Sequence, residues 1–153
     1  MFSIQANFST KDVEEYIKAE TEKWFQSLIE PFRITGRDLV DKARAKTRDD
    51  GGFGNITWRL RSSIGYLIIY NGEIIETYFP PLETGEEGSA TGEDYAREIA
   101  ALIDMHEGIQ LVIVAGMEYA VLVERTGYQG KQRDVITHVV GDNIGNALRA
   151  LLR

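Results

Sequence analysis

Cysteine is absent from the 153 residues, which excludes a disulfide framework and any cysteine-bearing zinc or iron–sulfur site. Histidine occurs only twice, so imidazole-based catalysis or metal binding has few members to draw on. Long apolar runs are missing too. The longest, around Leu67 to Tyr70 and Leu111 to Ala115, fall far short of the roughly 20 residues that span a bilayer, so no membrane partner is expected. The first twenty residues lack the basic start and apolar stretch of a signal peptide; no export is expected, and the chain is expected to work inside a cell. Positive charge is scarce, with 17 basic against 24 acidic side chains and a net charge of −7. That disfavours a grip on nucleic acid through many phosphate contacts, and no sequence-specific readout is expected. Lys42, Arg44, Lys46 and Arg48 fall at every second position, with Arg59 and Arg61 close together; on a helix the first four are expected to be solvated.

What is present is an ordinary globular mixture, 43% hydrophobic and 27% charged, at the size of one domain. Ser9 or Thr10 is a candidate N-cap, with Asp12, Glu14 and Glu15 placed where the helix dipole favours acids. Val13, Ile17, Trp24, Phe25, Leu28 and Phe32 then recur near a 3.6 period, giving an apolar stripe that must be buried against something. Pro31 predicts a kink or break. Helical spacing through Leu39, Val40 and Ala43 runs to about Thr47, and Asp49 to Gly54 reads as a loop.

Asn71-Gly72 between two β-rich runs, Ile64 to Tyr70 and Glu73 to Phe79, predicts a type I′ hairpin. A two-residue loop sets Tyr70 opposite Glu73, Ile69 opposite Ile74, Ile68 opposite Ile75 and Leu67 opposite Glu76. Neither resulting face is plainly polar, so the hairpin is expected to be covered on both sides. Pro80 and Pro81 end the second strand, and Leu82 to Asp94 has the glycine and acid content of an exposed loop. A helix is expected from Glu93 to about His106 with Gly108 as its C-cap glycine, followed by a strand over Ile109 to Ala115. Met117 to Arg125 reads as a short helix or turn stopped by Gly127, Tyr128 to Arg133 as a loop, and the tail as a helix with Ile144, Leu148, Leu151 and Leu152 on one side.

Chemistry-bearing patterns are sparse. The glycines of 85–92 lie among Glu86, Glu87, Glu93 and Asp94 and lack the lysine of a phosphate loop. Asp104, His106 and Glu107, or His138 with Asp142, supply too few ligands at a useful spacing. Ser62, Ser63 and Ser89 have no adjacent base, and the first two are expected to satisfy backbone groups at a loop-to-strand transition. No catalytic residue, metal or cofactor is expected.

Two stretches, Thr57-Trp58-Arg59-Leu60-Arg61-Ser62-Ser63-Ile64 and Tyr119-Ala120-Val121-Leu122-Val123-Glu124-Arg125-Thr126-Gly127, resemble the tail-completion and head-tail connector proteins of long-tailed bacteriophages. Thr57, Leu60, Arg61, Ser63 and Ile64 match that family's Thr-Gly-x-Leu-Arg-x-Ser-Ile motif, with Trp58 in place of the glycine. Tyr119, Ala120, Val123, Glu124 and Gly127 match its second motif. The chain departs from the family in a longer segment from Pro80 to His106 and in the missing proline and phenylalanine before the last helix. The resemblance implies a non-enzymatic virion component that forms a homo-oligomeric ring with tail and neck proteins as partners and no cofactor. Tyr66, Ile68 and Tyr70, on one apolar hairpin face, are then expected at the subunit contact. The alternatives are an intracellular adaptor or regulatory protein-binding module, and an enzyme of unrecognised type. The expected fold is α+β, one domain over residues 1–153, with a small, mainly antiparallel sheet packed against the first and last helices.

Overall fold

A computed structural model of the chain describes residues 2, 7–54, 57–103, 107–126 and 133–151. Helix α1 spans Thr10–Ala45. Its start is a reciprocal cap: Asp12 N donates to Ser9 Oγ at 3.2 Å and Ser9 N to Asp12 Oδ2 at 2.6 Å. The helix does not break at Pro31. Buried Ile29 on one side of the proline and Leu39 and Val40 on the other anchor both halves to the same core, which offsets the missing amide bond.

A four-residue helix, α2 (Arg59–Ser62), leads into strand β1 (Ile64–Tyr70), which returns as β2 (Glu73–Tyr78). Asn71 and Gly72 take positive φ, 49° and 86°, as the hairpin requires. Helix α3 (Glu86–Leu102) leads to β3 (Ile109–Ala115), then α4 (Ala120–Thr126) and α5 (Thr137–Leu151). The sheet order is β2-β1-β3, antiparallel throughout, and the chain is an α+β fold with helices flanking a three-stranded sheet.

The hairpin register departs from the expected one past its second pair. Tyr70 faces Glu73 and Ile69 faces Ile74, but then Ile68 faces Glu76 and Tyr66 faces Tyr78, with an irregularity between Ile68 and Ile69. One residue of extra strand turns Glu76 and Tyr78 to the α1 side. There Glu76 accepts from Arg33 Nε at 2.6 Å and from Tyr66 Oη at 2.9 Å, and the Tyr66 and Tyr78 rings stack with centroids 5.1 Å apart. In the straight register Glu76 would have lain among Leu67 and Ile69 beneath α3, unpaired in an apolar layer.

Both faces of the sheet are covered by the chain itself. Ile64, Tyr66 and Ile68 join Ile29, Val40 and Ala43 of α1 in one core cluster; Leu67, Ile69 and Phe79 join Ala96 and Ala100 of α3 in another. The expectation that Tyr66, Ile68 and Tyr70 form a subunit contact is therefore corrected: Tyr66 and Ile68 are fully buried, and Tyr70 meets Phe25 of α1 edge to face at 5.0 Å. The expected loop over Leu82 to Asp94 is likewise mostly helix, because α3 already begins at Glu86. Gly88 and Gly92 give it a side without Cβ atoms, and it lies so close to the main chain that a Cβ at Gly88 would come within 2.0 Å of Arg59 O. The expected C-cap role of Gly108 is corrected as well: α3 ends at Leu102, and Gly108 makes the turn into β3, exchanging bonds with Asn71.

Candidate functional site

The first motif is built around the end of α1. Arg44 reaches into the space between α1 and β1, where its guanidinium donates to Ile64 O at 2.6 Å, Ser62 O at 3.2 Å and Pro80 O at 2.9 Å. It is buried, a correction to its expected solvated position; the long side chain of an otherwise exposed basic run is drawn inward by main-chain carbonyls that no other described donor meets. Burial holds its pKa below the ordinary arginine value, and the same holds for Arg61. Arg61 lies over the Phe53 ring at 5.1 Å and donates to Lys46 O at 2.6 Å and to Arg44 O. It thus takes up carbonyls that the helix end leaves unpaired.

The serines act as expected from sequence. Ser63 Oγ donates to Leu60 O at 2.8 Å, and Ser62 Oγ accepts from Leu82 N at 2.9 Å. Thr57 is exposed ahead of α2. Trp58 adopts left-handed backbone, φ 58°, at the position where the resembled motif carries glycine.

The second motif comes to the same place. Gly116 N donates to Ser63 O at 3.1 Å, Leu60 and Ala120 share one core cluster, and Val123 packs against it. Tyr119 is 37% exposed; burial pushes its hydroxyl pKa up, with Arg59 pulling it down and Glu87 adding to the rise. Glu124 caps α5 from a distance: one carboxylate oxygen accepts from Val135 N at 3.1 Å, Ile136 N at 2.9 Å and Thr137 N at 3.0 Å, and the other from Thr137 Oγ1 at 2.8 Å. Burial would raise its pKa, but these donors hold it below the usual carboxylate value. Gly127 lies outside the described residues, as do Asp104 and His106.

The guanidiniums of Arg44 and Arg61 face main-chain carbonyls, the hydroxyls of Ser62 and Ser63 are engaged with backbone, and neither of these serines bonds to a base. His138 Nδ1 lies 3.6 Å from Asp134 Oδ1, whose other oxygen accepts from Lys46 Nζ at 2.5 Å; among the described residues no side-chain hydrogen bond or ion pair joins His138 to Asp142. No cluster of three metal-ligating side chains occurs among the described residues, and no described helix is long and apolar enough to cross a membrane.

Among the described residues, two of the surface hollows are largely apolar. One, of about 510 Å³, lies between α1, β3 and α5, with Leu39, Leu111, Ile113, Val140 and Ile144 in its walls. The other, about 340 Å³, runs beside β3 between α3 and the α4–α5 corner. A larger unpartnered surface belongs to α1. Every residue from Thr10 to Trp24 is exposed, including Val13 at 39%, Tyr16 at 67%, Ile17 at 57% and Trp24 at 60%. Periodicity had marked Val13, Ile17 and Trp24 as a stripe needing cover; within the chain only its continuation from Phe25 onward is covered.

Sequence reasoning missed Arg44, Glu76 and the Glu124 cap. Each depends on a partner far along the chain, and no local spacing marks such a pair. Comparison with protein-family models, with curated proteins and with solved structures returns no match.

Proposed function

We propose that the chain is a non-enzymatic structural protein of a bacteriophage or prophage, a tail-completion or head-tail joining component that assembles with its own kind into a ring in the virion. The observation that carries this reading is the half of α1 from Thr10 to Trp24, which stands clear of the sheet with an apolar stripe in water. Tyr16 and Trp24 alone leave roughly 200–300 Å² of side-chain surface uncovered, taking their exposed fractions of the ~150–250 Å² an aromatic side chain can bury. A patch of that kind on a helix marks contact with another polypeptide.

Further support comes from the resembled motifs. Leu60, Arg61, Ser63 and Ile64 of the first and Ala120 and Val123 of the second, far apart in sequence, meet at the junction of α1, α2, β1 and α4, where Arg61 and Ser63 bond to the main chain. Trp58 holds the backbone conformation that a glycine at that position would favour. The succession of long helix, hairpin, third strand, short helix and last helix is the one the resemblance implies, with α3 as the enlarged segment between.

The direct test is mass spectrometry of phage particles purified from an induced culture of the source strain. Peptides of this chain at a few copies per particle are the expected result. Infectious particles that form without it would overturn the virion reading and bring forward the adaptor, for which the exposed stripe would be the docking surface.

A further inference from the structure

The two edges of the sheet are protected differently. β2 carries Glu73 and Glu76 and the bulge, features that discourage pairing with a further strand. β3 reads Ile-Gln-Leu-Val-Ile-Val-Ala, with neither charge nor proline. Its register decides which backbone groups are engaged. Gly116 N bonds to Ser63 O and Asn71 N to Gly108 O, and both pairs continue the β1–β3 register. By alternation Gln110, Val112 and Val114 bond to β1, so the N–H and C=O groups of Leu111 and Ile113, with those of the flanking Ile109 and Ala115, point away from the sheet. No described backbone group outside the sheet bonds to them.

From Val112 to Ala115 this edge is the floor of the 340 Å³ groove, whose walls are Tyr95 and Ile99 of α3 on one side and Val121, Ile136 and Glu124, its carboxylate already engaged by the start of α5, on the other. A groove walled by helices admits a single extended segment and hinders the edge of another folded sheet. The occupant it suits is a strand with one apolar row and no charge.

The chain contains one. Phe2, Ile4, Ala6 and Phe8 alternate with Ser3, Gln5 and Asn7, the period of two that a half-buried strand requires, and the segment has no charged residue. Its own β3 lies beyond its reach. α1 runs antiparallel to β1, with Arg44 at Ile64 and Phe25 at Tyr70, and Tyr70 pairs with the first residue of β3, Ile109. From Phe25 the helix continues about 22 Å past that end of the sheet to Thr10. The residues ahead of it, Phe2 to Ser9, extend at most about 29 Å, so nearly all of them would be spent returning to Ile109.

We propose that the Phe2–Phe8 segment of one copy adds as a fourth strand to the free edge of β3 in a second copy, in the groove between α3 and the α4–α5 corner. Main-chain bonds to Leu111 and Ile113 give the attachment and the apolar row of the segment fills the groove, a strand-addition mode of recognition. The projecting half of α1 carries the segment away from its own body toward the neighbour. Donor and acceptor are different surfaces, so the contact is heterologous and propagates from copy to copy until it closes. This inference rests on the reading of the chain as a self-assembling ring subunit.

Sedimentation of the full chain, of the chain lacking residues 2–8, and of Ile4→Asp and Ile113→Pro variants tests it. The expected result is an assembled full chain and self-association weakened at least tenfold in each altered one. A mixture of the deletion, which can only accept, with Ile113→Pro, which can only donate, should form a 1:1 complex. Should Ile113→Pro fail to fold, the deletion and Ile4→Asp decide the matter, since both changes lie ahead of the Ser9 cap and leave α1 and the sheet unaltered in sequence. A deletion chain that assembles as fully as the intact one overturns strand donation and leaves the ring standing. An intact chain that stays monomeric at every concentration overturns both.

Discussion

Arg44 illustrates how one side chain fixes several main-chain segments at once. Its guanidinium meets the carbonyls of Ser62, Ile64 and Pro80, tying the end of α1 to both strands of the hairpin. Arg44→Met leaves those buried acceptors without their donor, and a loss of about 3 kcal/mol is expected in urea unfolding. Arg44→Lys should recover little of it, because one ammonium cannot reproduce the planar fork. Glu124 gives a pH signature. Its folded-state pKa lies below the ordinary value of 4.5, so its contribution is fully present above the unfolded pKa and is lost as pH falls through the folded one. Unfolding measured from pH 7 downward should show this acid-side loss in the natural chain. In Glu124→Gln the loss should shrink, with stability at pH 7 lower by about 1–2 kcal/mol.

At the scale of elements, glycine has opposite meanings in α3 and α5. A Cβ at Gly92 would lie 2.5 Å from Ser63 O, whereas Gly145 has nothing within 4 Å of the corresponding point. Gly92→Ala should therefore push α3 off the sheet and cost about 1–3 kcal/mol despite alanine's better helix propensity. Gly145→Ala should stabilise by about 0.5–1 kcal/mol. Thermal unfolding of the two single variants gives the comparison directly. The same contrast explains why α3 began earlier than expected. A run of glycine and acid reads locally as loop, and only the surface it lies against turns its small residues into a helix face.

For the whole molecule, the two apolar stretches read from periodicity have different fates. Tyr66 and Ile68 lie inside, so Tyr66→Asp or Ile68→Asp should abolish cooperative unfolding at 25 °C. Trp24 lies outside, so Trp24→Lys should leave the unfolding midpoint unchanged within about 0.5 kcal/mol while reducing self-association in sedimentation. A chain in which Trp24→Lys unfolds and Tyr66→Asp does not would contradict the assignment of core and surface.

Local chemistry by itself determined the hairpin turn, the strand over Ile109–Ala115, an N-cap at Ser9 or Thr10 and with it the start of α1, since each rests on residues a few positions apart acting through backbone conformation or period. It also marked the serines beside β1 as backbone partners. Tertiary structure decided the rest. Whether Pro31 broke its helix, which way Glu76 turned, where Arg44 went, and which apolar face stayed in water all depended on groups distant in sequence competing for the same buried space. A side chain's pattern states that it needs a partner; only the packed fold supplies the carbonyl, carboxylate or apolar face that becomes that partner, or leaves the place open.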